Sequence, residues 1–488
     1  MAQTRREFLR NTACGTLAAT AMVRGLDKMF LVNALAKPND PTDYKALVCV
    51  FLFGGNDSNN IVIPADDNYQ QYFDIRNPYN LAIDQGLLLQ ITPPSQQGRI
   101  FGLHPSLTGL HDLWGQGKVA IVVNTGTLMQ PLTRPQYESG VGRPYQLFSH
   151  SDQQTAQQTS FAQGHASGGW GGLLADYFRS RQTFPVVTSI NGVQVFSAGV
   201  RTRPLIIGAA PTRIDQVLTV TRPYPEIGQL VNIERADGSR TIVQNSGNLV
   251  FDALTNMQRL RDVGDPTISS SFPNTGFANQ LKQVAKMIKI GADPQALGLQ
   301  RQIFFVGIGG FDTHNNQGKE TGQQATLWNQ VSSAMSAFYT CIDTELNLAN
   351  QVTSFTISDF SRTLKPNFGD AGTTPGTDHA WGGHQFVMGG AVNGGDFYGT
   401  FPSFTLGGDD DVDNGSGARG RFLPQISVDQ YAATLALWYG VPLSDLAMVF
   451  PNIVNWAGRE DVGFMQPPMG PVAASNGRRS LVRRALGL

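Results

Sequence analysis

Four of the seven histidines in this 488-residue sequence fall in three short polar segments, and each segment also holds an aspartate. His150 and Asp152 stand in FSHSDQQ, Asp312 and His314 in GGFDTHNNQ, and His379 and His384 follow Asp378 in GTDHAWGGH. Asp57 in GGNDSNN and Asp359 in TISDFSRT each follow an apolar run. Imidazole nitrogen and carboxylate oxygen are the donors of zinc, manganese and similar divalent ions. This is no compact motif such as HExxH; its weight lies in recurrence at successive run ends. In FDTH the pair is two apart, so on extended backbone both side chains leave the same side. Asp378 and His379 diverge on extended backbone, and the glycines of GTDHAWGGH let the chain fold back to bring His384 to the same centre.

Each residue has a plainer explanation when taken alone. Asp57 beside glycine serves as a turn or cap residue. Ser151 with Gln154, and Ser149 with Asp152, have capping-box spacing, so SHSDQQTAQQ also reads as a helix start. His104 and His111 read as structural histidines, and His165, in a Gly/Ser-rich loop, as exposed. The coincidence of acidic or His-bearing residues at so many run ends favours a shared site.

Four elements must position these residues. ALVCVFLFGG (46 to 55), KVAIVVNTG (118 to 126), RQIFFVGIGG (301 to 310) and QVTSFTISDF (351 to 360) are short apolar runs ending in polar loops. Helical patterns precede the last three, so the order is helix, strand, polar loop, repeated. That order predicts a doubly wound α/β fold with a mostly parallel sheet flanked by helices, and parallel strands open all their loops on one edge. Residues 185 to 245 have little helical period and read as an irregular or antiparallel insertion, and a helix is expected after it from Ser246 to Asp262. The glycine- and aspartate-rich 407 to 420 segment reads as mobile. SVDQYAATLALWYG (427 to 440) reads as a buried helix with a serine cap.

The first 36 residues stand apart. Arg5 and Arg6, then Phe8 and Leu9, form a twin-arginine signature, and Ala34-Leu35-Ala36 offers a small-x-small cleavage site. Arg24, Asp27 and Lys28 make the intervening run a poor membrane span, and no later run is long enough for one. The expectation is a periplasmic or secreted protein, with 37–488 as a single domain and 470–488 as a basic tail. The twin-arginine machinery is then a partner, and it exports proteins already folded around their metals. A net charge of −1 offers no basic face for nucleic acid. Cys14 leaves with the signal, and Cys49 and Cys341 do not by themselves define a disulfide. With 54 glycines and only 15% charged residues, turns and shaped loops outweigh helical bundles.

Several segments together resemble the DUF1501 family, exported bacterial proteins of poorly defined function. They are VCVFLFGGNDSNNIVIP, FGLHPSLTGLHDLWGQGKVAIV, SHSDQQ, GGFDTHNNQ, SDFSRTLKPN and GTDHAWGGHQFVMGGAVNGGDFYGTFP, in that order along nearly the whole chain. The resemblance implies an alkaline-phosphatase-like fold, with one or two divalent ions (zinc, manganese, magnesium or calcium) at the C-terminal sheet edge. It implies Asp57 as a metal-bridging carboxylate, Asp312 and His314 as ligands of one ion and Asp359 as a ligand of a second. His379 matches the superfamily's last histidine, with Asp378 or His384 replacing a lost ligand. That ligand is missing because Phe360 stands where such enzymes carry histidine. DUF1501 proteins typically have glutamate at the position of Asp359. Ser149, with His150 beside it, falls at the nucleophile position, and Arg362 or Lys365 is placed to clamp an anion. Neither Cys49 nor Cys341 has a Cys-x-Pro-x-Arg context, which argues against a formylglycine sulfatase. The function implied is a metal-dependent hydrolase of phosphate or sulfate esters, acting on small molecules or polysaccharides. The rival is a non-catalytic cell-surface or periplasmic protein that keeps the fold with a structural or lost metal.

Overall fold

The computed structural model describes residues 43–164, 166–178, 184–216 and 241–467. The expected export signal, His165, part of the 185–245 segment and the basic tail lie outside the described residues.

The strands of the central sheet are β1 (Lys45–Leu52), β2 (Val119–Gly126), β3 (Val187–Ser189), β4 (Leu205–Ile206), β5 (Arg301–Ile308), β6 (Val352–Ser358), β7 (Gly383–Gly389), β8 (Phe397–Tyr398) and β9 (Ile426–Ser427). Their order is β8-β2-β7-β6-β1-β5-β3-β4, with β9 also paired to β2. β1 pairs in parallel with β5 and β6, and β7 runs antiparallel to both β6 and β2. Every strand therefore points one way except β7. The four apolar runs are thus parallel, as their sequence order predicts, and their loops share one edge.

The helices used below are α1 (Tyr69–Arg76), α2 (His150–Thr159), α3 (Trp170–Phe178), α4 (Thr241–Val263), α5 (Gly276–Ala292), α6 (Gln323–Thr340) and α7 (Val428–Tyr439). β1 is buried at every position, which follows from helices covering both its faces. Val48, Val50 and Leu52 enter the core shared with α5 and α6, where Leu281, Val284, Trp328 and Val331 pack. Leu47, Cys49 and Phe51 enter the opposite core, against Trp170 and Leu174 of α3 and Tyr431 and Leu435 of α7. Each such side chain contributes about 1.5–3 kcal/mol when fully buried. α7 starts at a capping box between Ser427 and Gln430 and stops at Gly440, whose φ of 115° suits a residue without a Cβ.

Residues 185–216 are largely irregular, and β3 and β4 extend the main sheet in parallel. An antiparallel three-stranded sheet lies elsewhere, between β1 and β2, formed by Val62–Pro64, Leu89–Ile91 and Phe101–Leu103. The 407–420 segment departs from the mobile loop expected of its composition. Asp411 is fully buried and accepts the amides of Gly407, Asp413, Gly420 and Arg421, a lattice that pins the loop. Cys49 and Cys341 are both free and buried. No helix among the described residues is long and apolar enough to cross a membrane.

Candidate metal centre

Asp312 and His314 follow β5, and Asp359 follows β6 directly. His379 lies just before β7, and because β7 is reversed, its start meets the same edge. An isolated bridge between Arg362 and His379 ties the two ends of that connection together. His150 is the first residue of α2. Close backbone approach brings the loops into register. At Gly54, with φ at 111°, a Cβ would come within 2.4 Å of the Asp312 nitrogen, and at Gly376 within 2.2 Å of the Thr313 carbonyl.

Three imidazoles converge here, and each is oriented through its Nδ1. His379 Nδ1 lies 2.7 Å from the Phe148 carbonyl, His150 Nδ1 2.7 Å from Asp359 Oδ2, and His314 Nδ1 3.2 Å from Asp378 Oδ1. Carbonyl and carboxylate oxygens only accept, so each Nδ1 carries the hydrogen and each neutral ring presents a bare Nε2 lone pair. Those lone pairs face one another and a carboxylate. His314 Nε2 is 3.0 Å from His379 Nε2 and 3.1 Å from Asp312 Oδ1. His379 Nε2 is 3.5 Å from Asp312 Oδ1, and His150 Nε2 is 3.3 Å from Asp312 Oδ2. The His150 Nε2 is buried and makes no aligned hydrogen bond.

Acceptors gathered against acceptors require a cation between them, either a proton or a metal ion. The donor atoms of His150, Asp312 and His379 all lie within 4.8 Å of one another. Ligands of a tetrahedral zinc ion, at 2.0–2.1 Å from the metal, stand about 3.3 Å apart. The residues therefore fit such an ion, and the rings have the backed arrangement typical of metal-binding histidines, in which the second nitrogen donates to a carboxylate or carbonyl.

The surroundings hold this arrangement. Arg362 is fully buried and donates to Asp312 Oδ1 at 2.7 Å, to the Gly54 carbonyl and to Thr377. Burial opposes ionisation of Asp312, yet the Arg362 hydrogen bond and charge hold its carboxyl below the ordinary value. The hydrogen bond to Asp359 raises His150 above its ordinary value, whereas burial lowers His379. Phe360 lays its ring against both, with centroids 4.8 Å from His150 and 4.7 Å from His379. Asp378 bridges His314, Asn367 and Arg419.

Not every residue singled out by sequence reaches the cluster. Asp57 is fully buried, with Arg76 of α1 at 2.5 and 2.9 Å, Gln317 at 2.6 Å and the Asn59 amide on its oxygens. Its lone pairs are spent on the fold. His384 is the second residue of β7, so it belongs to the sheet and not to the loop. Its Nδ1 accepts the Asn124 amide, its ring packs on Phe401, and burial pushes its pKa down to about 3. Asp359 and Asp378 turn their oxygens to the rings and to other donors, so they orient the imidazoles. Arg362 likewise holds Asp312 and presents no exposed surface. Ser149 precedes α2 but does not cap it; its hydroxyl donates to Asp152 Oδ2 at 2.5 Å.

Other participants were not singled out from sequence. Gln154 donates to Asp359 Oδ2 beside His150. The i, i+4 spacing of His150 and Gln154 was a usable signal, since it puts both on one helix face. Arg421 donates to the His379 carbonyl, and with Arg419 it joins the aspartate-rich loop to the centre. His104 bonds the Lys319 carbonyl and the Ser106 amide, the structural role expected of it. A cavity of about 590 Å³ beside β4 and α4 shares no residue with the cluster.

The family described as a protein of unknown function, DUF1501, matches residues 295–415. That span contains Asp312, His314, Asp359, Asp378 and His379, and excludes Asp57 and His150. No curated protein matches the chain by sequence. Among solved structures, the C-terminal periplasmic domain of EcEptC from Escherichia coli, in complex with Zn, is 11% identical over 72% of this chain and 74% of that one, with a TM-score of 0.28. The soluble domain of lipooligosaccharide phosphoethanolamine transferase A from Neisseria meningitidis is 9% identical over 88% and 96%, at 0.32. The PsFucS1 sulfatase from Pseudoalteromonas sp. is 11% identical over 78% and 69%, at 0.25. These likenesses are loose.

Proposed function

We propose that the protein is an exported, metal-dependent hydrolase of phosphate or sulfate esters, of alkaline-phosphatase-like fold and matured through twin-arginine export. The supporting observation is the convergence of three Nδ1-anchored imidazoles on Asp312, acceptor against acceptor. His150, Asp312, His314 and His379 would hold the ion. Bound there, a divalent ion supplies a Lewis acid that polarises the ester's oxygen.

The chain's own residues set what approaches. Asp312, Asp359 and Asp378 outnumber Arg362 and Arg419 by one charge, so by themselves these groups repel an anionic ester and accept it only once a divalent cation is counted with them. Asp152 would take the Ser149 proton as that oxygen bonds to phosphorus or sulfur and the ester oxygen leaves with its bonding pair to become the alcohol, after which water releases the group from Ser149. α2, entering the edge through His150, brings the positive end of its dipole to the same place. Arg362 acts through Asp312, as a positioning residue.

The rival reading, a non-catalytic protein with a structural metal, is favoured by the consumption of Asp57 and by Phe360. Turnover of aryl phosphate, phosphodiester and sulfate substrates with Zn²⁺ or Mn²⁺ separates the two. Metal-dependent turnover lost in Ser149→Ala and in Asp312→Ala/His379→Ala supports the hydrolase. Bound metal that raises the melting temperature, with no turnover of any substrate, supports the rival.

A further inference from the structure

We infer that the centre takes one divalent ion of the zinc class, not two, and that His150 Nε2 is one of its ligands. This rests on the metal reading above and goes beyond it in ion number, ion type and the role of His150.

A second ion would need a carboxylate from the β1 side of the edge; Asn56 Oδ1 there is buried and unpartnered but brings no charge, and Asp57 has no oxygen to spare. Arg76, Gln317 and Asn59 occupy Asp57, and Arg76 is itself locked by the Thr363 and Leu364 carbonyls. Asp359, fully buried, accepts Gly54 N on one oxygen and both His150 Nδ1 and Gln154 Nε2 on the other. Next to Asp359 in the chain stands Phe360, an apolar ring packed so closely on the end of β1 that a Cβ on Gly55 would lie 2.6 Å from it. The carboxylate that a second ion would recruit is thus taken by a guanidinium, and an aromatic ring instead of a further donor packs against His150 and His379.

What remains open is one carboxylate and three imidazole nitrogens. Magnesium and calcium take oxygen donors in sets of six or more, whereas an imidazole-rich set suits zinc and its borderline neighbours. His150 Nε2 is buried, unpartnered and aimed at Asp312, and its Nδ1 is backed by Asp359, so the ring has no other evident occupation.

The test is calorimetric titration of Zn²⁺ into the metal-stripped, full-length protein, with elemental analysis after gel filtration and Mg²⁺ and Ca²⁺ as controls. One equivalent of zinc is expected, with His150→Gln weakening it by roughly 100-fold or more, beyond the effect of an outer-shell loss. His150→Cys loaded with Co²⁺ should show a thiolate-to-cobalt charge-transfer band absent from the parent, which reports ligation independently of affinity. Matched melting temperatures in chelator keep the variants comparable. Two equivalents, or one equivalent unaffected by His150→Gln with no band in His150→Cys, would overturn this inference and leave the metal reading standing. No bound zinc in the parent would overturn both.

Discussion

Asp57 and Asp312 follow neighbouring parallel strands at one edge of one sheet, and they have opposite fates. Asp57 is sealed by the guanidinium of α1, whereas Asp312 stays partly exposed, held by Arg362 on one oxygen and shared among three imidazoles. A carboxylate at a strand end is therefore only an opportunity. The cation that the next element delivers decides whether it becomes scaffold or site.

The comparison can be broken most forcefully from the sealed side. Arg76→Met leaves Asp57 ionised, buried and short of its counter-charge, a change expected to cost about 3–5 kcal/mol in urea unfolding. The folded fraction should still bind a single zinc. A second equivalent would show that Asp57 had been a ligand in waiting. Histidines divide in the same way, with His384 on the scaffold side. Its folded value of about 3 lies below the ordinary 6.5, so the unfolded chain binds the proton first. Stability is then fully present above about pH 6.5 and falls as pH drops towards 3, by about 1.4 kcal/mol per unit across that window. His384→Leu is expected to be less stable at pH 7, by about 1–3 kcal/mol for the stranded Asn124 amide, and to lose less on acidification. Parallel pH curves for parent and variant would contradict this assignment.

On the open side the expected effects move from stability to ligand binding. Asp359→Asn weakens the brace on His150 and should lower zinc affinity about 10–100-fold by titration. Unchanged affinity would remove Asp359 from the centre. The smallest effect is expected at Ser149. Its hydroxyl makes no capping bond, so Ser149→Ala should shift unfolding by no more than about 0.5 kcal/mol while abolishing any turnover. A larger loss of stability would move Ser149 to the scaffold side.

Much of this was legible beforehand. Apolar runs of strand length, separated by helical periodicity, specify a parallel sheet, and the Asp/His pairs mark the edge where the imidazoles gather. The reversal of β7 was not legible, and with it the fate of His384. GTDHAWGGH reads as one loop, but pairing with β2 begins at Gly383, with β6 joining from Val387, and carries His384 into the core. The pairing of Asp57 with Arg76 was hidden for a related reason, since Arg76 lies on another element and no spacing rule connects them. The aspartate-rich loop has the composition of a mobile segment, yet Asp411 gathers four amides that only the folded chain brings together.

The reversed strand has a further consequence. Because β6 ends and β7 begins at the same edge, the connection between them returns to where it left, and both its feet are pinned beside the centre. Lengthening such a return path raises its closure entropy only logarithmically. Its outer stretch beyond Asn367, where Phe368 is exposed, can therefore be lengthened provided that Asn367, which holds Asp378, is kept. The architecture separates an adjustable outer loop from the imidazole cluster at its feet, and that loop is the natural place to insert new sequence.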